Sequence, residues 1–388
     1  MKILHTSDGH LGHLLYGYER TEEQKSMLRQ MADIVREEKP DVFIIAGDIF
    51  HVGRPSASVQ KMFVDSLTDI CSENKDMKII LTAGNHDSGA MHEVFRTPWK
   101  ILGVEAIGTL SSDDPSTHII ELPGKGFVIA IPYVSERFLP DDFIQKVIDL
   151  AKKKNKDNLP IIMTAHTTVK GAAFEGHEKI GDWLIGGIDG VELKEMGVGY
   201  DYLALGHIHH GQFIHSGKHN VRYSGAPLPV NFDENYVHTL SIVEIERHGE
   251  TPKVRQIEIL NPIPLVTLPA SGSADWSSVI ELLRGFPKDK KAYIRLNVEQ
   301  TAPLLPNAAD EAANLVKDKE CRFCLINYKK RISGVSDEIN KFTIREFKEI
   351  DPLEIAGRYI ESQGDEFDES MAEMFKEALN QVKKELSR

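Results

Sequence analysis

The chain has 388 residues, 41% of them hydrophobic and 27% charged, with a net charge of −13. This is the ordinary mixture of a soluble globular protein of two or three domains; no apolar run reaches the roughly 20 residues of a membrane span. Three cysteines (Cys71, Cys321 and Cys324) are too few for a disulfide framework, and the acidic balance excludes nonspecific attraction of the whole surface to nucleic acid, though metal ions bound to a carboxylate cluster would reverse the charge locally.

Met1-Lys2 leads straight into an apolar run, without a basic region, apolar stretch and small-residue cleavage site, so a cytoplasmic location is expected. That run ends in Thr6-Ser7-Asp8-Gly9-His10, a first β-strand delivering a carboxylate and an imidazole at its carboxyl end. Alone, an Asp and a His two apart also fit a capped turn. Residues 19–38 carry Met27, Leu28, Met31, Ile34 and Val35 at helical spacing, which predicts an amphipathic helix. After Pro40, residues 41–46 are continuously apolar, as in a strand buried on both faces, and they finish in Gly47-Asp48-Ile49-Phe50-His51. Val59, Met62, Phe63, Leu67 and Ile70 place a second helix in residues 55–74. The strand over 77–83 then ends in Gly84-Asn85-His86-Asp87. Alternating strands and helices of this kind build an α/β sheet whose site lies beyond the carboxyl ends of its strands.

Further strands are expected at 104–107 and 127–132. A helix at 141–156 ends in Lys152-Lys153-Lys154, either a solvated helix end or a nucleic-acid contact. Residues 160–166 form a strand closing on His166, and the Gly-rich stretch 167–190 is expected to loop near the site with Glu175, His177 and Lys179 unassigned. Tyr202 to Gly206 leads into His207-Ile208-His209. Residues 221–227 and 237–246 read as strands of a second sheet packed on the first. The proline-rich stretch 261–265, followed by 269–273, marks a domain boundary or a linker. Beyond it, helices at 275–286 and 307–319 alternate with strands at 291–298 and 321–328, a small α+β domain. Cys321-Arg322-Phe323-Cys324 falls in the last of these strands, as half-buried thiols or as a lone metal or redox pair. From 343 the chain turns to charged amphipathic helices, with Met371, Met374, Phe375, Ala378, Leu379, Val382 and Leu386 on one stripe that must be buried on the protein or on a partner.

Five strand ends thus carry Asp8, His10, Asp48, Asn85, His166, His207 and His209, with His86 among them. Seven N and O ligands are too many for one ion and suit two that share a carboxylate; imidazole with carboxylate favours Mn, Fe or Zn over Ca or Mg. Two such ions roughly 3.5–4 Å apart can clamp a phosphoryl group and activate water for in-line attack, which predicts phosphate-ester hydrolysis.

The set D-x-H, G-D, G-N-H-D, H and G-H-x-H resembles the calcineurin-like metallophosphoesterases over about the first 260 residues. His5 to Gly12, Ala46 to Phe50, Ala83 to Ser88, Ala204 to His209 and Tyr223-Ser224-Gly225-Ala226-Pro227 further resemble the SbcD-type nuclease subunits of double-strand-break repair. The resemblance implies a four-layer α-β-β-α sandwich in 1–260, an α+β capping domain in 261–342, and helices in 343–388 that dock on the coiled coil of an SbcC-type ATPase. It implies one metal ion on Asp8, His10, Asp48 and His209 and another on Asp48, Asn85, His166 and His207, most readily Mn2+. His86 would sit over the phosphate with Asp87 orienting it. His51, where the bacterial pattern commonly has Asp, would match a residue that positions DNA for exonuclease cleavage; Gly9, where an aromatic is frequent, is the other departure. Further implied are 3′→5′ exonuclease on duplex ends, endonuclease on single strands and hairpins, gating by ATP in the partner, and a homodimer through helices drawn from 55–74 and 88–99, which otherwise serve core packing. His13, Tyr16 and Arg54 would touch the DNA backbone or fill ordinary surface roles. The rival readings are a phosphoesterase for small phosphodiesters or phosphoproteins, for which the accessory domain and C-terminal helices have little use, and a noncatalytic scaffold, which should have lost ligands.

Overall fold

Two apolar runs, β1 (Lys2–Thr6) and β2 (Val42–Ala46), pair in parallel in the computed structural model, and the second is buried along its whole length. Val42, Ile44 and Ala46 enter one core while Phe43 and Ile45 enter another, because successive side chains leave a strand on opposite faces. A run with no polar face needs cover on both sides. The structure describes residues 1–135, 138–173, 190–214, 220–300, 307–330, 371–373 and 375–376. Glu175, His177, Lys179 and nearly all of the expected C-terminal helices lie outside them.

The first sheet continues from β2 through the parallel strands β3 (Lys78–Thr82) and β4 (Val104–Ile107). The second sheet is built from β5 (Ile119–Leu122), β6 (Gly126–Ala130), β7 (Ile161–His166), β8 (Tyr202–Gly206), β9 (Gln212–Phe213) and β10 (Val221–Tyr223), in the order β9-β10-β8-β7-β6-β5. Helices α1 (Thr21–Glu38), α2 (Ala57–Glu73) and α3 (Gly89–Lys100) bury their apolar stripes on the outer face of the first sheet, and α4 (Phe143–Lys154) does so on the second. Between the sheets Ile3, Ile44 and Ile80 meet Val128, Ile162 and Ala204. The result is the expected four-layer α-β-β-α sandwich.

One expectation is corrected. The strand expected within 237–246 does not join the second sheet: β11 (Thr239–Glu244) runs antiparallel to β1, with Ile3 opposite Val243, and β12 (Lys253–Glu258) extends that edge of the first sheet. Its apolar pattern announces burial, not the edge it pairs with. Between the two stretches 261–265 and 269–273 lies β13 (Leu265–Leu268), which pairs in parallel with β14 (Tyr293–Gln300). Two edge strands, β5 and β12, were not expected from the sequence; β12 is largely exposed and so lacks the apolar alternation that marks a half-buried strand.

With α5 (Trp276–Gly285), α6 (Ala308–Val316) and β15 (Arg322–Lys330), β13 and β14 form a three-stranded sheet with its own core of Val279, Leu283, Ile294, Leu296 and Ala312. We call this part the cap. Cys321 sits in that core, whereas Cys324 packs by the separate cluster of Leu15, Phe232, Ile263 and Tyr293 that joins the cap to the sandwich. Burial pushes both thiols up, Cys324 to about 12, as expected of residues three apart in a strand rather than of a shared metal or redox site. Residues Met1–Lys329 form one compact unit, and 330–388 a second, in which residues 371–373 and 375–376 are helical.

Candidate metal centre

The strands β1, β2 and β3 of one sheet and β7 and β8 of the other point their carboxyl ends at a common edge, and there the loops lock together. The Asp8 N–H donates to the Gly47 carbonyl at 3.0 Å, that of His10 to Asp48 at 3.0 Å and that of Leu11 to Ile49 at 2.9 Å. Asp8, His10, Asp48 and His207 have positive φ angles of 53°, 41°, 51° and 98°, a backbone region that costs a non-glycine residue on the order of 1–3 kcal/mol and that recurs at functional sites. The strain turns each side chain from its strand axis into the site. Two glycines make room: a Cβ on Gly84 would lie 2.1 Å from an Asp48 carboxylate oxygen, and one on Gly47, at φ 84°, would lie 2.2 Å from His166 Nδ1.

All seven residues expected to hold metal converge. Asp8, His10 and His209 present ligand atoms within 4.8 Å of one another, and so do Asp48, His166 and His207. His10 Nε2 faces His209 Nε2 at 3.1 Å. Asn85 Oδ1 lies 3.0 Å from both His166 Nε2 and His207 Nδ1. Asp48 lies between the two groups, with Oδ2 3.3 Å from His166 Nε2 and 4.0 Å from His10 Nε2.

The hydrogen bonds behind the rings fix which atoms face the centre. His166 Nδ1 donates to the Ala46 carbonyl at 2.8 Å and His209 Nδ1 to the Glu234 carboxylate at 3.1 Å, so the Nε2 atom of each neutral ring presents a lone pair to the centre. At His166 that lone pair meets only acceptor oxygens of Asn85 and Asp48. Burial alone would depress the His166 pKa, yet the adjacent Asp48 carboxylate reverses this and lifts it to about 9. Asp48 answers in kind: burial raises it, and the facing His166 outweighs burial and holds it well below the usual carboxylate range. The cluster calls for positive charge where several lone pairs meet, and a divalent ion with nitrogen and oxygen ligands supplies it. The residues present fit two such ions.

His86, Asp87 and His51 border this centre. The His86 Nδ1–H donates to the His51 carbonyl at 2.9 Å, its ring stacks on that of His51 with centroids 5.5 Å apart, and it meets the His10 ring edge-on at 5.0 Å. Asp87 does something other than orient His86. Its buried carboxylate accepts from the N–H groups of Gly84, Ile49 and Phe50 at 2.9, 3.1 and 2.9 Å, bracing the loops after β2 and β3 together. Of the outlying residues, His13 packs edge-on against His51 at 4.7 Å, Tyr16 leans on Phe232 at 5.6 Å, and Arg54 is exposed. Glu234, the partner of His209, escaped the sequence reading. It follows a loop with no periodicity, and a lone acidic residue there carries no signal until the fold sets it under an imidazole.

The family model for calcineurin-like phosphoesterases matches residues 1–211. Among curated proteins, the chain is 30% identical over 313 residues to the SbcD subunit of the nuclease SbcCD from Rhodobacter capsulatus, covering 73% of this chain and 75% of that protein. It is 27% identical over 292 residues to the Escherichia coli protein of that name, covering 69% and 70%, and 29% identical over 318 residues to that of Bacillus subtilis, covering 77% and 79%.

Proposed function

The chain belongs to the calcineurin-like phosphoesterases and, within them, to the SbcD nuclease subunits, a metal-dependent hydrolase by that membership, and from this premise we propose that it cleaves DNA as the Mn2+-dependent nuclease of a complex with an SbcC-type ATPase. The observation that carries this reading is the convergence of seven candidate nitrogen and oxygen ligands from five strands of two sheets, their ring nitrogens and oxygens facing one another at about 3–4 Å.

Asp8, His10, Asp48 and His209 hold one ion in this reading, and Asp48, Asn85, His166 and His207 the other. Bound there, two such ions would neutralise phosphate charge and lower the pKa of an attacking water. The protein's own groups do the rest. With its Nδ1–H tied to the His51 carbonyl, His86 keeps Nε2 as the atom that hydrogen-bonds the phosphate and passes a proton toward the leaving oxygen. His51, stacked on His86, fixes that ring and positions the strand to be cut. Asp87 maintains the spacing of the two loops on which Asp48 and His86 ride.

The activities assigned are 3′→5′ exonuclease on duplex ends and endonuclease on single strands and hairpins, in the cytoplasm and on the nucleoid. No helix among the described residues is long and apolar enough to cross a membrane. Residues 343–388 dock on the ATPase, whose ATP cycle gates cleavage. A second copy of the chain packs against α2 and α3, a reading supported by the exposed Val94 and Ile101 at 73% and 86% of full accessibility.

The test is cleavage of end-labelled duplex and hairpin DNA by the purified protein with Mn2+, Mg2+ or chelator, beside a nitrophenyl phosphodiester. Mn2+-dependent shortening of the DNA is expected. Turnover of the diester with DNA left intact, even with the ATPase added, would replace the nuclease reading with that of a small-substrate phosphodiesterase.

A further inference from the structure

The segment Asn231-Phe232-Asp233-Glu234 touches the metal centre at one end and the cap at the other. Glu234 is 6% exposed, and its Oε1 accepts from His209 Nδ1 at 3.1 Å while Oε2 accepts the Val230 N–H at 3.2 Å. One residue earlier, the Asp233 carboxylate pairs with Arg295 Nη1 of the cap strand β14 at 2.5 Å. Between them Phe232 is 3% exposed, with the Arg295 guanidinium over its ring at 5.2 Å and Tyr16 against it at 5.6 Å. Arg295 is itself buried and anchored to Thr267 of β13 at 3.1 Å. The path from the cap sheet to His209 is therefore one ion pair, Arg295–Asp233, the adjoining Glu234, and its hydrogen bond to His209, with the Phe232 ring packed alongside.

We propose that this segment is a lever: Glu234 is a positioning residue that fixes the His209 ring and tautomer for metal binding, and Arg295 holds Glu234 in place, so that the pose of the cap sets metal affinity at the His209 site. A carboxylate behind a metal-bound imidazole fixes which nitrogen is free and raises its basicity. A carboxamide at 234 still accepts the Nδ1 hydrogen, whereas alanine does not. The inference rests on His209 being a metal ligand.

The experiment is calorimetric titration of Mn2+ into the chelator-stripped full chain, for the wild type, Glu234→Gln, Glu234→Ala, Arg295→Met and the double variant Glu234→Ala/Arg295→Met. Circular dichroism of each metal-free protein checks folding. Wild type is expected to take two ions. Glu234→Ala should lose about 10- to 100-fold in affinity for one of them and keep the other. Glu234→Gln should recover most of that loss. Arg295→Met should weaken the same ion alone, and should add little to Glu234→Ala because both act along one path. Wild-type affinity in Glu234→Ala, or equal losses in the Gln and Ala variants, would overturn the positioning role. Wild-type affinity in Arg295→Met, or losses that multiply in the double variant, would overturn the lever. Should Glu234→Ala not fold, Asp233→Asn applies the same test from the cap side. A wild type that binds no ions would instead remove the metal reading itself, and this proposal with it.

Discussion

At the scale of single residues the site is dominated by where protons are fixed. His166 and His209 each commit Nδ1–H to an oxygen and turn Nε2 to the centre, and His86 commits Nδ1–H to the His51 carbonyl, with a ligand atom within 4.8 Å of those of His10 and His51. Two substitutions separate these roles. His86→Asn should keep both ions by calorimetry and lose about 100-fold or more in cleavage rate, the range of a lost general acid. Asp48→Ala should lose metal and cleavage together, because its carboxylate lies between the two ligand groups. Near-normal turnover in a metal-replete His86→Asn protein would take His86 out of the reaction.

At the scale of elements, the site depends on strands whose buried side chains alternate between two cores, and on helices that cover only the outer faces. Helix α3 departs from this. It buries His92 and Trp99 but leaves Val94, and Ile101 at its C-terminal cap, exposed. Val94→Asp with Ile101→Asp should therefore leave the fold and the metal ions in place while shifting the protein from dimer to monomer in sedimentation velocity; an unchanged sedimentation coefficient would rule out this face as the interface. The cap has an independent core around Leu283. Leu283→Ala there should cost about 2–5 kcal/mol of stability, read in urea unfolding, as a large-to-small change at a fully buried site does.

At the scale of the whole molecule, Met1–Lys329 hold every candidate ligand and the cap, while 330–388 form a separate unit. Ending the chain after Lys348 should accordingly spare Mn2+-dependent cleavage of DNA and abolish capture of the ATPase in a pull-down. Retained capture would place the docking surface within residues 1–348.

Part of this protein is legible from local chemistry alone. The buried runs at 41–46, 77–83, 160–166 and 202–206 had to be strands covered on both faces, and each ends in residues of metal-capable types. With the run at 2–6, which ends in Asp8 and His10, that was enough to specify an α/β sheet and the seven candidate ligands, because period and residue type are properties of a segment; the two-sheet sandwich came from the family resemblance. The rest depends on segments distant in the chain and emerges only on folding: that β11 pairs with β1, that Leu265–Leu268 is a strand of the cap sheet, that Asp87 braces two loops, and that Glu234 stands behind His209. Edge pairing and support of a ligand from behind leave no mark on local hydrophobicity. They arise only when chain closure brings a lone polar group, such as Glu234, against a buried partner that it must satisfy.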